Sequence, residues 1–357
     1  MKKKKQVIII SDYIAEYGGN FIKSLNNLEA NLKEHDVNVI YIFPNEAKAE
    51  KWESDYSNTH RVIQCDFSPV GLFSAVRNLM NNSIETIIHM HFLHAKDVIA
   101  IKVATIGYSR KLVVHIHMRY PVSNKLKNGI KRIVYYGCKK IAVSTAVYDD
   151  LVTCFGNKDV YYVKNAISLD RLHTDNVDIL NKKSMVTIFG THFTRKGVDI
   201  AVKAIHNSKY KNKIKLCIYT NDESKTIENI KNIGISDWKN YVEVRHVVSN
   251  ISDVYNKSFC FLSPSRSEAF GYAVVEAAYC NCQVIASDIP GQNVLKKIPY
   301  INWIKSEDVN GLSNKIDYCY EKSSTEIAKE KIAQREYIQD NYSLNRWSAD
   351  ITRVYGL

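Results

Sequence analysis

The chain has 357 residues, of which 45% are hydrophobic and 24% are charged, so it can bury a sizeable core and a disordered protein is excluded. At roughly 100–200 residues per domain, this length predicts two or three domains or one large α/β unit. Lysine and arginine number 49 against 37 aspartates and glutamates, a formal net charge of +12 that predicts an anionic partner: nucleic acid, an anionic membrane surface or a phosphorylated small molecule.

The chain starts with a lysine-rich stretch followed by only four apolar residues, 7–10, before Ser11. This run is too short for a signal peptide or a membrane-spanning helix. We therefore interpret it as a buried first strand and expect a cytoplasmic protein. The eight cysteines include no C-x-x-C pair, which is typical of reduced thiols rather than of a disulfide framework or a zinc site.

Short runs rich in valine and isoleucine alternate with helical patterns along the first half of the chain. The runs are uniformly apolar, as parallel strands buried on both faces are. The clearest helix carries Phe21, Leu25, Leu28 and Leu32 on one apolar stripe. The predicted strands of this set are 6–11, 37–43, 86–91, 112–117 and 140–144.

A second set of strands and helices follows the polar stretch 168–184, which is the best linker candidate. The alternation predicts the α/β class, with two doubly wound, Rossmann-like domains in succession. We expect domains at 1–168 and 169–335, and a helical tail, 336–357, that packs back on the first domain. The predicted strands of this set are 185–190, 214–219, 241–245, 259–263 and 283–287, and the apolar face of the tail is formed by Trp347, Ile351, Val354 and Tyr355.

The most informative segment, residues 263–278, combines the end of a buried strand, a polar loop and the start of a helix. Glu268 and Glu276 have seven residues between them, and Phe270-Gly271-Tyr272 lies at the turn. Backbone amides at a helix N-terminus bind anions, and carboxylates accept hydrogen bonds from sugar hydroxyls. Such a loop can hold a diphosphate beside a sugar.

In its context this segment resembles the donor-binding signature of retaining glycosyltransferases of family four. Their GT-B fold has two facing Rossmann-like domains with parallel sheets and a cleft between them. The resemblance covers about residues 5 to 355, and the ordered combination of motifs carries it rather than any single one. The further motifs lie at 17–19, 113–117, 141–144, 163–167, 188–190, 195–199 and 286–291.

The resemblance implies a role for each matching residue. Glu276 would bind the nucleotide ribose and Glu268 the hydroxyls of the transferred sugar. Lys196 would neutralise diphosphate charge, and His117 would lie beside the reacting sugar. The residues implied in catalysis are His117, Lys196 and Glu268, and those implied in donor binding are Gly18, Gly19, Arg195, Lys196, Glu268, Phe270, Gly271, Tyr272 and Glu276.

One departure from the family lies at Thr191, where an arginine usually follows the glycine that ends the strand. Losing this cation should slow departure of the diphosphate unless another supplies the charge. Arg195 or Arg266 could substitute, or each could be a solvated surface arginine. No D-x-D triplet occurs, so we expect no catalytic metal. We also expect no cofactor, and we favour a UDP-sugar over a GDP-sugar as the donor.

Five histidines are concentrated at two neighbouring predicted strand ends. Imidazoles in such number can ligate a metal, but no cysteine or carboxylate completes a convincing set. We therefore predict no metal site, with His117 in the cleft and the other four packed or lining the acceptor side. The five are His89, His91, His94, His115 and His117.

Residues 124–136 combine cations with Ile130, Ile133 and Val134 on a predicted helix. Two interpretations remain open. Such a helix can lie on an anionic bilayer, or it can be an ordinary amphipathic helix with its apolar face on the sheet. A lipid-linked acceptor would favour the first.

The leading hypothesis is a retaining, metal-independent hexosyltransferase. It would move a sugar from a nucleotide diphosphate sugar to a glycan or lipid-linked glycan acceptor, in cell-surface polysaccharide biosynthesis, as a cytoplasmic protein that can be peripheral at the inner face of the cell membrane. The alternatives are a GT-B sugar-nucleotide epimerase and a basic nucleic-acid-binding protein. Against a nucleic-acid partner, the sequence has no helix-turn-helix, zinc-finger or RNP-type motif.

Overall fold

The computed structural model describes residues 4–47, 49, 52, 61–120, 125–174 and 184–357, with the backbone alone for residues 125–127. The chain forms two compact units. The first contains Met1–Ala166 and Leu344–Leu357, and the second contains Ile167–Ser343. Each is an α/β unit built on one parallel sheet.

The sheet of the first unit is formed by β1 (Lys4–Ser11), β2 (Val37–Pro44), β3 (Arg61–Cys65), β4 (Ile84–His91), β5 (Arg110–Ile116), β6 (Cys138–Ala142) and β7 (Val160–Tyr162). These strands lie in the order β3-β2-β1-β4-β5-β6-β7. Alternate residues of β1 join apolar clusters on opposite faces of the sheet, which explains why the run is uniformly apolar. The sequence prediction missed β3, which is largely exposed, and β7, which has only three residues, because neither edge strand has a long apolar run.

The helices between these strands are α1 (Gly19–Lys33), α2 (Pro69–Arg77), α3 (Ala95–Ala104), α4 (Lys125–Val134) and α5 (Thr145–Phe155). The apolar stripe of α1 is buried as predicted, with Leu25, Leu28 and Leu32 at 0% exposure. Capping serines define two of the helix starts. Ser68 accepts a hydrogen bond from the backbone of α2, and Ser144 does the same for α5.

The second unit has a six-stranded sheet of β8 (Met185–Phe189), β9 (Lys215–Thr220), β10 (Val242–His246), β11 (Cys260–Ser263), β12 (Gln283–Asp288) and β13 (Asn302–Lys305). The strand order is β10-β9-β8-β11-β12-β13. The sequence prediction missed β13, another short, mainly half-buried edge strand. The helices are α6 (Phe193–Lys196), α7 (Val198–Asn207), α8 (Glu223–Lys231), α9 (Ile251–Lys257), α10 (Tyr272–Tyr279), α11 (Val309–Glu321) and α12 (Ser324–Asn341).

Each sheet has a topological switch point, where the strand order reverses direction. In the first unit β1 and β4 are neighbours there, and in the second unit β8 and β11 are neighbours. Ligands of open α/β sheets bind beyond the carboxyl ends of the strands at such a point. The loops after β8 and β11 carry the motif residues of the second unit, so the topology brings those motifs to one edge.

The last helix, α13 (Leu344–Tyr355), returns to the first unit. Its buried side chains Trp347, Ile351 and Tyr355 belong to the same apolar cluster as the stripe of α1. The Ser348 hydroxyl donates a hydrogen bond to Asn27 at 2.6 Å. The predicted linker, 168–184, is described only in part: residues 169–171 form a 3-10 turn, and residues 175–183 lie outside the described residues.

Candidate functional site

The loops after β8 and β11 are in direct contact at the carboxyl edge of the second sheet. Gly197, at the end of α6, has a φ of +70°, and a Cβ there would lie 2.1 Å from the Pro264 carbonyl oxygen. Glycine is therefore required at this crossing. The backbone amide of Arg266 also donates to the carbonyl of Arg195 at 2.8 Å. These contacts hold the two loops, and hence their charged side chains, side by side.

A carboxylate surrounded by cations lies at this crossing. The Nζ of Lys196 is 2.6 Å from Oε1 of Glu268, and the Ser265 hydroxyl donates to the same oxygen at 3.0 Å. A guanidinium nitrogen of Arg195 lies 3.5 Å from the other carboxylate oxygen. Two positive charges thus share one negative charge, which leaves a net positive site suited to an anionic ligand.

The two arginines considered as substitutes for the family arginine differ in their surroundings. Arg266 makes a bidentate pair with Asp199, both distances being 2.8 Å, and also pairs with Glu307. Burial works in the opposite direction, but the hydrogen bonds and charge of Arg266 lower the pKa of Asp199. Arg266 therefore neutralises two carboxylates, whereas Arg195 extends toward Glu268 and lines the same cavity as Thr191.

That cavity, of about 490 Å³, lies between the β8 loop and α8. Thr191, His192 and Arg195 line one side, with Asp222 and Lys225 of the α8 start on the other. Burial and the charges of Arg195 and Lys196 lower the pKa of His192. The charged groups that line this cavity are therefore the Arg195 and Lys225 cations, together with the Asp222 carboxylate.

The start of α10 is shaped by two glycines. Gly271 caps the helix with a φ of +98°, a conformation that L side chains rarely adopt. A Cβ on Gly291 would lie 1.6 Å from the carbonyl oxygen of Glu268, so this close approach fixes the loop that carries the glutamate. The Phe270 side chain is 2% exposed and packs in the core. Its side chain is therefore not available to a ligand.

Glu276 lies one turn into α10 and is 5% exposed. The hydroxyl of Tyr255 donates to its carboxylate at 2.9 Å, and Arg171 donates to the other oxygen at 3.4 Å. Burial and then the negative charge of Glu276 raise the pKa of Tyr255. Sequence reasoning missed both partners, because each lies far along the chain from Glu276 and Arg171 falls in the stretch interpreted as a linker.

In the first unit, the predicted glycine-rich loop leads directly into α1. Gly19 is the first helical residue and has a φ of +58°, and Gly18 is its N-cap. The Tyr13 hydroxyl donates to the carbonyl oxygens of Tyr17 and Gly18, both at 3.1 Å. The loop is thus held from within by a tyrosine that the motif does not include.

His117 follows β5 and lies among aromatic rings of the first unit. The Phe92 ring stacks on it at a centroid distance of 4.3 Å, and Phe21 meets it edge-on at 5.8 Å. Burial lowers the pKa of His117 to about 3, so the imidazole is neutral near pH 7. Phe92 has a φ of +59°, a strained conformation for a non-glycine residue that no sequence signal predicts.

Residues 173–337 match the family Glycosyl transferases group 1. The matched residues lie within the second unit and make up most of it. The match agrees with the glycosyltransferase class that the motifs predict. A comparison with curated proteins finds no match.

Several solved structures share the fold over nearly the whole chain. A glycosyltransferase from Rickettsia africae is 19% identical with a TM-score of 0.80, and the match covers 99% of this chain and 98% of the other. HepE from Anabaena, solved with UDP and glucose, is 15% identical with a TM-score of 0.79 and coverages of 98% and 99%. TarM is 10% identical with a TM-score of 0.77 and coverages of 100% and 99%. The predicted α/β class with two parallel-sheet, Rossmann-like units of the GT-B type is confirmed.

The region that matches the family Glycosyl transferases group 1 holds seven of the predicted site residues. Arg195, Lys196 and Glu268 are in mutual contact range, and Phe270, Gly271, Tyr272 and Glu276 follow on the same loop and helix. Gly18, Gly19 and His117 belong to the first unit. Within the described part of the chain, every helix is too short or too polar to span a bilayer.

Proposed function

We propose that this protein is a retaining glycosyltransferase of the hexosyltransferase type whose donor is a nucleotide diphosphate sugar, with UDP favoured over GDP. The observation that carries the proposal is the contact between Lys196 and Glu268 at the switch point, just before the N-terminus of α10. A cation and helix amides stabilise a diphosphate, and a carboxylate binds sugar hydroxyls. The relatives solved with UDP, glucose or UDP-glucose support the choice of nucleotide.

Each residue of the second unit takes one part of the donor in this proposal. Glu276 accepts hydrogen bonds from the ribose hydroxyls. The backbone of Phe270, Gly271 and Tyr272 approaches the diphosphate, where Lys196 supplies the positive charge.

The remaining contacts orient the transferred sugar and supply positive charge beside it. Glu268 orients the transferred sugar through its hydroxyls, and Arg195 takes the role of the cation that the family usually has at the Thr191 position. In the first unit, Gly18 and Gly19 bring backbone amides to the diphosphate, and the neutral His117 donates a hydrogen bond to the reacting sugar.

A front-face substitution is the proposed route to retention. A double displacement needs a free carboxylate nucleophile beneath the anomeric carbon. The oxygens of Glu268 instead accept hydrogen bonds from Lys196 and Ser265 and face the charge of Arg195, contacts that lower its nucleophilicity. The leaving diphosphate would then accept the proton of the incoming hydroxyl through its own oxygen while the new bond forms on the same face.

A thermal-shift panel of UDP-, GDP- and ADP-sugars tests the donor. A ligand at about 100 times its dissociation constant stabilises the fold by roughly 2.7 kcal/mol, so the correct sugar nucleotide should raise Tm above its competitors. The anomeric configuration of the transferred sugar, read by NMR coupling constants, tests retention. An inverted product would contradict the proposed stereochemistry while leaving the donor assignment intact.

Donor binding is proposed to need no metal ion. Charge on the diphosphate is met by Lys196 and helix amides rather than by a metal held on aspartates. We therefore expect the calorimetric affinity for UDP to be equal in EDTA and in excess magnesium or manganese. An affinity that falls in EDTA and returns with manganese would contradict this prediction.

The proposed acceptor is a glycan or lipid-linked glycan of cell-surface polysaccharide biosynthesis, reached at an anionic membrane. α3 and α4 line an apolar groove of about 430 Å³, beside which Ile133 is 75% exposed and Ile106 is 62% exposed. Residues 98–148 contain ten lysines and arginines and no aspartate or glutamate. Exposed isoleucines within a wholly basic segment fit an anionic lipid surface better than a neutral partner.

Ile133→Asp is expected to weaken binding to phosphatidylglycerol vesicles about tenfold or more, since an isoleucine loses roughly 1.5–3 kcal/mol of burial. The matched control is Ile332→Asp, because Ile332 of α12 is also exposed, at 57%, and the charge change is the same. Vesicle sedimentation at low salt measures both. Equal binding by the two variants, or equal binding to phosphatidylcholine, would contradict the proposed surface.

A further inference from the structure

We propose that His89, His91 and His115 form a binding site for a transition-metal dication, with Zn²⁺ as the expected ion. β4 and β5 are adjacent, and their register pairs His91 with His115. Because side chains alternate along a strand, His89 lies on the same face as these two. The three residues are 0%, 0% and 1% exposed, so their imidazoles share one buried space.

Hydrogen bonds already orient two of these rings. Nδ1 of His89 lies 2.6 Å from the Tyr355 hydroxyl, and Nδ1 of His91 lies 2.9 Å from Nε2 of His117. Metal-bound histidines use one ring nitrogen for the metal and the other for such an outer hydrogen bond. The existing contacts therefore leave Nε2 of both rings available to a metal ion.

The remaining ring nitrogens have no hydrogen-bond partner among the described residues. They are Nε2 of His89, Nε2 of His91 and both nitrogens of His115. Buried polar atoms in native proteins are almost always paired. A single ion between the rings would satisfy one nitrogen of each histidine at once.

The spacing of the three rings suits one ion after a small rotation. One nitrogen from each residue can be chosen so that all three lie within 4.8 Å of one another. Zinc–nitrogen bonds of about 2.0–2.1 Å in a tetrahedral site place ligand nitrogens roughly 3.3 Å apart. Nitrogens that are 4.8 Å apart would therefore have to approach each other by about 1.5 Å. Imidazole ligands select zinc, copper or nickel over magnesium or calcium.

The proposed ion is structural and links β4 to β5 beneath α13. It would also set the tautomer of His91 that hydrogen-bonds His117, and so hold that residue in place. The site lies in the core of the first unit, and its test is ion binding itself rather than UDP affinity or turnover.

Cobalt is the probe, because bound Co²⁺ has visible absorption bands that are more intense when the coordination number of the ion is low. The chelator-treated full-length protein, with its fold checked by circular dichroism, is titrated with Co²⁺ and then with Zn²⁺. We expect one equivalent per chain, displacement of cobalt by zinc and a raised Tm. A folded wild-type chain that binds neither ion, or cobalt bands typical of thiolate ligands, would overturn the proposal.

Variants assign the binding to these residues. His115→Ala should lower zinc affinity at least 100-fold, and the conservative Tyr355→Phe about 10- to 100-fold, because outer hydrogen bonds contribute that much. The control is His35→Ala, since His35 is exposed and outside the cluster. Wild-type affinity in a folded His115→Ala or Tyr355→Phe chain, or an equal loss in His35→Ala, would contradict the assignment.

Discussion

Lys196→Ala is expected to lower kcat by about 10²-fold or more, the scale seen when one preorganised electrostatic donor is removed from a transition state. In a front-face substitution the diphosphate gains charge as the glycosidic bond breaks. Lys196 is the cation that the two contacting loops bring closest to Glu268, at 2.6 Å. Its loss therefore raises the barrier more than it weakens substrate binding, and KM should change less than kcat.

Steady-state kinetics with the preferred donor measure this effect. Lys257→Ala is a suitable control, because Lys257 is an exposed lysine at the end of α9 in the same unit. A kcat near that of the wild type in a folded Lys196→Ala chain would remove this lysine from the chemistry.

A companion variant examines the missing family arginine. Arg195 and Thr191 line the same cavity, and Arg195 already points to Glu268. We therefore expect Thr191→Arg to lower kcat by crowding Arg195. A neutral or faster Thr191→Arg enzyme would indicate that the position has simply lost its cation.

The second large effect is expected for Glu276, whose replacement should weaken UDP binding about 10- to 100-fold. A carboxylate that accepts hydrogen bonds from ribose hydroxyls is charge-assisted, and such bonds contribute roughly 1.5–3 kcal/mol. Glu276→Ala would also leave the buried Tyr255 hydroxyl without its acceptor. Glu276→Gln keeps an acceptor for Tyr255 and removes only the charge.

Calorimetric titration with UDP compares both variants with Glu228→Gln, a matched change at an exposed position on α8. The alanine variant should lose both affinity and Tm, whereas the glutamine variant should lose mainly affinity. Wild-type affinity in a folded Glu276→Gln chain would place the ribose elsewhere.

The sequence was most informative about elements whose burial follows from the pattern of neighbouring residues along the chain. Uniformly apolar runs identified the central strands, because residues such as Ile8 and Ile9 must face two different apolar layers. The edge strands β3, β7 and β13 have no such requirement and left no pattern. The apolar stripe of α1 was equally predictable, because the residues spaced at the helical period are the ones that the structure buries.

The candidate site was predictable where a motif is continuous and unpredictable where partners come from distant segments. The loop with Glu268 and the helix with Glu276 could be recognised from spacing and turn chemistry. Nothing in the sequence indicates that Arg171 and Tyr255 meet Glu276, or that Arg266 is bound by Asp199 and Glu307. Such pairs depend on which loops the strand order brings together, and this order cannot be inferred from a single sequence.

The return of α13 to the first unit affects the order in which the protein can be completed during synthesis. The strands β1 to β7 are translated before the second unit, whereas Trp347 and Tyr355, which pack in the same apolar cluster as α1, are translated after it. The whole of the second unit is made in between, so it can fold as a finished unit. The first unit therefore cannot be completed until the second unit has been synthesised. A chain released before α13 is made would expose the unfinished core of the first unit to chaperones and proteases.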